Sequence, residues 1–219
     1  AALECALQLA AADPGRPEVV VVAAGPAAIE PVLRDALAAG ADRAVRIDVP
    51  NGIPSGVVAV GLAAVRDSAG DAPTWWLCGD RSADRGSGAV PVLLAAELDR
   101  VVASGLVSVS IGGDAAGRTV TAQRRLERGR REQLAVHGPA VLAVSGAAAR
   151  LRRAPLPAVL TARRATITVL AGPDVASVPT ATMGGLRVLA RHPLRPLASP
   201  IDPPAGATAR ERVAALTGV

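Results

Sequence analysis

The chain has 219 residues, half of them hydrophobic, and a formal net charge of +5. That length suits one large domain, or one domain with a C-terminal extension, and it can bury a core without disulfide or metal staples. Two cysteines, Cys5 and Cys78, rule out a disulfide framework and a thiolate metal cluster.

The cysteine usage points to a reducing, cytoplasmic compartment. No window of about 18 uninterrupted apolar residues occurs, so no membrane insertion is expected. The first residues lack the charged-then-apolar pattern of a secretion signal. Residues 1–12 read as a helix already under way, which places the start of the chain inside a fold. All 24 basic residues are arginine, as codon bias in a GC-rich genome would produce. They cluster at Arg124, Arg125, Arg128, Arg130 and Arg131, and again at Arg150, Arg152, Arg153, Arg163 and Arg164. A basic surplus can signal nucleic acid. Here Trp75 and Trp76 are the only aromatics, too few for the stacking that single-strand binders use, and no helix-turn-helix or zinc-finger pattern occurs. A protein partner or a solvated face fits the arginines better.

In chain order, Leu3 to Ala12 predicts a helix stopped by Pro14 and Gly15. Val19 to Ala24 is a continuous apolar run, predicting a strand buried on both faces. Ala27 to Ala39 predicts a helix with Ile29, Val32, Leu33, Ala36 and Leu37 on its apolar face and Gly40 as its stop. Val45, Ile47 and Val49 alternate as a second strand. Asn51 to Ser55 is a turn cluster, and a helix spans Gly56 to Ser68. A third strand covers Thr74 to Cys78. The polar loop Asp80 to Gly88 leads into a helix from Val90 to Leu98. A fourth strand covers Leu106 to Ile111. This strand–helix alternation marks an α/β fold with a mostly parallel sheet and flanking helices.

The texture then changes. Arg118–Arg124 and Glu132–Val136 predict a small β-hairpin insertion turned around Glu127 to Gly129. Val141 to Ser145 returns to the core pattern. A short helix follows Pro155, and Thr166 to Leu170 predicts a last strand. The domain is expected to span 1–171. Residues 172–219 predict an extended C-terminal arm, rich in Pro and Gly, that closes with a helix from Thr208 to Leu216. Thr208 would cap that helix, with Glu211 at the capping-box distance.

The best local site is the loop from Gly79 to Val90. It leaves the C-terminal end of a strand and enters a helix N-terminus, where free N–H groups and the helix dipole suit a phosphate. Gly86 and Gly88 allow close backbone approach, and Ser87 adds a hydroxyl. An ordinary strand-to-helix turn explains the glycines equally well, and the run is neither a Walker A loop nor a G-x-G-x-x-G fingerprint. Ala24-Gly25-Pro26 could lie against a flat base, although a tight turn suffices to explain it. Asp80 and Asp84 could hold a metal, but capping and loop bonding account for them as well. The only histidines, His137 and His192, lie far apart in the chain. No residue set assembles a bond-making site.

Several segments resemble the beta subunit of electron transfer flavoproteins. They are the run Ala36 to Arg43 after the strand ending at Gly25-Pro26, the loop Asp84 to Val90 after Cys78-Gly79, Pro139 to Val141, Arg153 to Pro157, and Ala162 to Ile167. They occur in that family's order over about residues 2 to 170, and the details are most similar to an actinobacterial branch associated with the mycofactocin redox peptide. The resemblance implies a Rossmann-like fold that holds AMP, or a second FAD, and pairs with a larger alpha subunit carrying the redox-active FAD. It implies that Gly79, Ser87, Gly88, Ala89 and Val90 serve the phosphate and that Ala24, Gly25 and Pro26 line the nucleotide. Leu156, with Pro157, would anchor a dehydrogenase donor, and Arg125 would lie near the flavin. It also implies a mid-sheet strand and an adenine-binding loop ahead of Leu3, where this sequence opens. Gly86 and Ala89 replace the family's acidic and glutamine positions. Arg124-Arg125-Leu126 lacks the carboxylate expected near the flavin.

Three functions follow from these features. The first is a noncatalytic subunit that passes electrons toward a quinone or other acceptor. The second is a stand-alone adenine-nucleotide sensor, which would melt in a nucleotide-dependent way. The third is an adenylating enzyme, and the absence of a Walker-type loop counts against it.

Overall fold

The computed structural model describes residues 1–68, 75–82, 86–111 and 119–174. They fall within the first of two compact units, Ala1–Gly184 and Gly185–Val219. The expected arm, beyond its first three residues, and the helix at Thr208 to Leu216 lie outside the described residues, as do Asp84 and His192.

The elements run in order as α1 (Ala2–Ala12), β1 (Val20–Ala24), a 3-10 turn (Ala27–Ile29), α2 (Glu30–Ala39), β2 (Arg43–Asp48), α3 (Ser55–Ser68), β3 (Trp75–Gly79) and α4 (Ala89–Leu98). Then come β4 (Val101–Ile111), β5 (Thr119–Arg125), β6 (Arg131–His137), β7 (Ala140–Val144), α5 (Leu156–Arg164) and β8 (Thr168–Ala171). Two sheets form rather than one, a three-stranded β1-β2-β8 and a five-stranded β3-β7-β4-β5-β6. Four of the six described pairings are parallel, and the antiparallel ones are confined to β4–β5–β6. That antiparallel part contains the expected hairpin.

β7 shows how the fold is built. Its Ala-Val-Leu-Ala-Val run is buried throughout because β3 and β4 pair with it on either side. Ala140, Leu142 and Val144 share one cluster with Cys5 and Leu9 of α1. Val141 belongs to a second cluster with Leu94, Ala95 and Leu98 of α4 and Ala59 of α3. The alternation follows from strand geometry, which points successive side chains to opposite faces. The apolar run thus covers both sides, as a doubly covered parallel strand should.

β1 departs from expectation. The sequence predicts a strand buried on both faces, yet all five of its residues are only half-buried. Among the described residues β1 bonds to β2 alone, so one long edge lacks a neighbour. Among the described residues β3 bonds only to β7. Trp76 of β3 nevertheless packs on the cluster that also takes up Val20, Val22 and Ala24 of β1.

β4 is longer than predicted. Gly105 sits at φ +68 beside a register shift between Ala103 and Leu106. Val101–Ala103 pair parallel to β7, and Leu106–Ile111 pair antiparallel to β5. The Ser104-Gly105 break hid the first half in the sequence, as a bulge does. α2 also differs. Gly40 ends it in the left-handed conformation, as expected, and Leu33 and Ala36 are buried, but Val32 is 68% exposed. Val32 therefore lies off the buried face that the spacing assigned to it.

Candidate functional site

Backbone contacts hold the described parts of the loop after β3. Asp80 N–H donates to Val144 O at 2.9 Å and extends the β3–β7 ladder one residue past Gly79. Gly86 N–H donates to Ser82 O at 3.1 Å. Gly86 and Gly88 both hold left-handed φ values, and Gly88 is the N-cap of α4. A Cβ at Gly88 would stand 2.8 Å from Asp80 O, whereas one at Gly79 meets nothing closer than Arg81 O at 3.7 Å. Gly88 is thus required both by conformation and by close approach. Ser87 Oγ accepts from Ala89 N–H at 3.4 Å. The N–H groups of the first turn of α4 have no intrahelical partner, and Pro91 contributes none. Free N–H groups at a helix N-terminus, just past a strand end, are the chemistry of an anion cradle. Cys78, one residue before Gly79, has its thiol pushed up to about 11 by burial, so it stays neutral beside this cradle.

The turn after β1 is held by a side chain that the sequence reading missed. Arg46 of β2 is buried, and its Nη1 donates to Gly25 O at 3.0 Å and to the Asp48 carboxylate. Its Nε lies 3.3 Å from Glu30 Oε1, without hydrogen-bond geometry. Gly25 N–H donates to Ile47 O at 2.9 Å, and a Cβ there would press on Ile29 at 2.9 Å. Ala24-Gly25-Pro26 is therefore a fixed platform at the end of the three-stranded sheet. Arg46 sits at an alternating strand position between Val45 and Ile47. In sequence only its charge within an apolar run could have marked it.

Arg125 lies elsewhere. Together with Asp80, Gly105, Val107, Arg131, Ser145 and Ala147 it lines an open depression of about 380 Å³ that draws on all five strands of the larger sheet or the residues just after them. The structure thus brings the residue after Gly79 and Arg125 into one place. It sets Ala24–Pro26 at the end of the other sheet. Leu156 and Pro157 open α5, which packs on α2, and both are exposed. Among the described residues no group of three or more His, Cys, Asp or Glu could hold a metal, and no helix is long and apolar enough to cross a membrane.

A family model for the electron transfer flavoprotein domain matches residues 1–175. The chain belongs to that family. The electron transfer flavoprotein domain spans every described element, so the cradle, the platform, the depression and α5 all lie within it. The family carries electrons, and the parallel-rich sheets with flanking helices are its Rossmann-like fold.

One further device of this electron transfer flavoprotein domain involves residues the sequence did not single out. Glu4 of α1 is buried, and both of its oxygens are taken by Arg152. Arg152 Nε donates at 2.9 Å, Nη2 at 2.8 Å, and the Arg152 backbone N–H at 3.1 Å. Gln8 adds a fourth bond at 3.1 Å. Arg152 is the main reason the Glu4 carboxyl falls to about 2, against a burial effect in the opposite direction. The pair ties α1 to the segment that leads into α5.

Proposed function

We propose that this chain is the beta subunit of a heterodimeric electron transfer flavoprotein. It holds AMP or FAD, joins an alpha subunit that carries the redox FAD, and takes electrons from a dehydrogenase for delivery to a quinone or other acceptor. The compartment is the cytoplasm, and the subunit carries out no bond-making chemistry itself. The observation that carries this reading is the backbone cradle at Gly86–Val90, where the position of Gly88 against Asp80 O leaves no room for a side chain.

The residues present fit a nucleotide phosphate. Ser87, Gly88, Ala89 and Val90 would hold it through hydroxyl and backbone N–H groups, and Ala24, Gly25 and Pro26 would lie along the base. When bound in the complex, the flavin supplies the redox chemistry by accepting and releasing electrons. Arg125 lines the depression, and with the partner's flavin beside it its charge would favour the reduced, anionic form. Leu156 offers an exposed apolar anchor to the donor.

The test is co-expression with an electron transfer flavoprotein alpha subunit from the same genome, followed by a visible spectrum and mass spectrometry of the ligand released on denaturation. A heterodimer with flavin absorbance and bound AMP or FAD is expected. A self-sufficient monomer that turns over a substrate without any flavoprotein would refute the reading.

A further inference from the structure

Arg46 interrupts the apolar alternation of β2, and its side chain is only 8% exposed. A charge held that deep needs partners that use its donors. Nη1 is used twice, on Gly25 O and on the Asp48 carboxylate. Nε is not. Among the described residues it has no hydrogen-bond acceptor, although Glu30 Oε1 lies 3.3 Å away. The other oxygen of Glu30 accepts from Arg34 Nη2 at 3.5 Å, a long contact. One carboxylate thus stands between two guanidinium groups and holds neither closely. An exposed pair of this kind contributes little, but here one partner is buried, so water cannot replace Glu30 there.

Both ends of this charged chain are anchored. Gly25, Pro26, the 3-10 turn and Glu30 follow one another directly. Ile29 N–H donates to Pro26 O at 3.0 Å, and Ile29 Cδ1 would stand 2.9 Å from a Cβ at Gly25. A displacement of Gly25-Pro26 is therefore passed to the first residue of α2. One helical turn on, Arg34 shares the face of Glu30. Its Nη1 donates to the carbonyls of Ala162, Arg163 and Ala165 at 3.2, 3.2 and 2.8 Å. The last carbonyls of a helix have no intrahelical donor, so Arg34 acts as the cap of α5. Past Ala165 the chain enters β8, where Val169 pairs with Arg46 itself. The circuit closes through β2, α2, α5 and β8.

We infer that Arg46, Glu30 and Arg34 form a brace that couples the platform Ala24–Pro26 to the C-terminal end of α5. An adenine nucleotide on the platform tightens that helix end, and a tighter helix end favours the nucleotide. The inference rests on the reading of the chain as a nucleotide-holding subunit. It adds three positioning residues that act through Gly25 and the turn after it. The unused Nε donor and the long Glu30–Arg34 contact are the slack that a small shift of Glu30 takes up. Coupling in one direction requires equal coupling in the other.

The experiment uses the purified heterodimer, stripped of nucleotide on activated charcoal and refilled with AMP, or with FAD where AMP is not retained. Hydrogen-exchange mass spectrometry follows the amides of residues 160–168. In the wild type, saturating nucleotide is expected to slow their exchange about fivefold or more. Glu30→Gln keeps the size of the side chain and removes the charge that the two arginines share. At saturation it should still bind nucleotide, without the slowing. A merely structural role would shift exchange equally with and without nucleotide and leave the difference in place. Reciprocally, Arg34→Ala should raise the nucleotide Kd about fivefold or more, although Arg34 bonds to none of Ala24, Gly25 and Pro26 among the described residues. Nucleotide that binds the wild type without slowing exchange at 160–168 overturns the brace alone. So does a Glu30→Gln variant slowed as much as the wild type, or a Kd for Arg34→Ala within about twofold of wild type. If neither AMP nor FAD binds the wild-type heterodimer, the nucleotide reading fails and the brace with it.

Discussion

Arg125 and Arg131 stand directly opposite one another across the β5–β6 hairpin. The next pair inward, Arg124 and Glu132, is an ion pair. Like charges facing each other across strands are destabilising, and both arginines line the depression that also holds Asp80 and Ser145. The hairpin end therefore concentrates positive charge at the sheet edge, where an anion would relieve it. In the flavin complex, Arg125→Gln is expected to lower the flavin reduction potential by on the order of tens of millivolts, because the reduced anion loses a countercharge. Arg131→Gln should act in the same direction. A redox titration with dye standards checks both, and an unchanged potential would separate the depression from the flavin.

Gly88 and Gly79 make a controlled pair. Gly88→Ala meets both a left-handed backbone and Asp80 O at 2.8 Å, while Gly79→Ala has ordinary space. Gly88→Ala should destabilise the chain by roughly 1–3 kcal/mol and lower nucleotide occupancy, and Gly79→Ala should do neither. Mass spectrometry of the ligand released on denaturation, beside urea unfolding, reads the two effects separately.

Acid should loosen α1 through Glu4. Its carboxyl is lowered from 4.5 to about 2 in the folded chain. A depressed carboxylate contributes stability that is complete above its unfolded value and is lost as pH falls through the folded one. The pair's contribution should therefore fade between pH 4.5 and about 2. Glu4→Gln should remove that part of the pH slope in chemical denaturation, and an identical slope in the variant would show that the pair is not responsible.

Arg34→Ala should leave three carbonyls at the end of α5 without their donor. Lost hydrogen bonds of this kind cost about 1–3 kcal/mol locally. Amide exchange should rise in 156–164 while β7 stays protected, and hydrogen-exchange mass spectrometry resolves the two regions.

The core offers a calibration. Leu142 is fully buried at the centre of β7. Leu142→Ala should cost about 2–5 kcal/mol, through lost transfer energy and the cavity left behind. A urea midpoint shifted by much less would mean that α1 and the five-stranded sheet yield around the gap.

Most elements were legible because their signals are local. The Val-Leu-Ala-Val run of β7, the Gly40 stop of α2 and the hairpin turn at Glu127–Gly129 each need only a few residues of context. What the sequence hid depends on distance along the chain. Glu4 and Arg152 are 148 residues apart, and Arg34 reaches carbonyls about 130 positions away. Nothing local marks either link. The half-burial of β1 was equally hidden, since a Val-Val-Val run looks the same at a sheet edge as at its centre. At the candidate site, the glycines of the 79–90 loop were readable as types, but only the backbone separates indispensable Gly88 from permissive Gly79.

The single-sided bonding of β1 has a practical consequence. Among the described residues, these five small apolar positions leave one row of amides and carbonyls unpaired, which makes an adhesive seam. When made alone in a heterologous host, such a polypeptide should collect in inclusion bodies, through copies zipping together along that seam. Soluble yield then becomes an inexpensive gauge of whether the right companion sequence has been supplied.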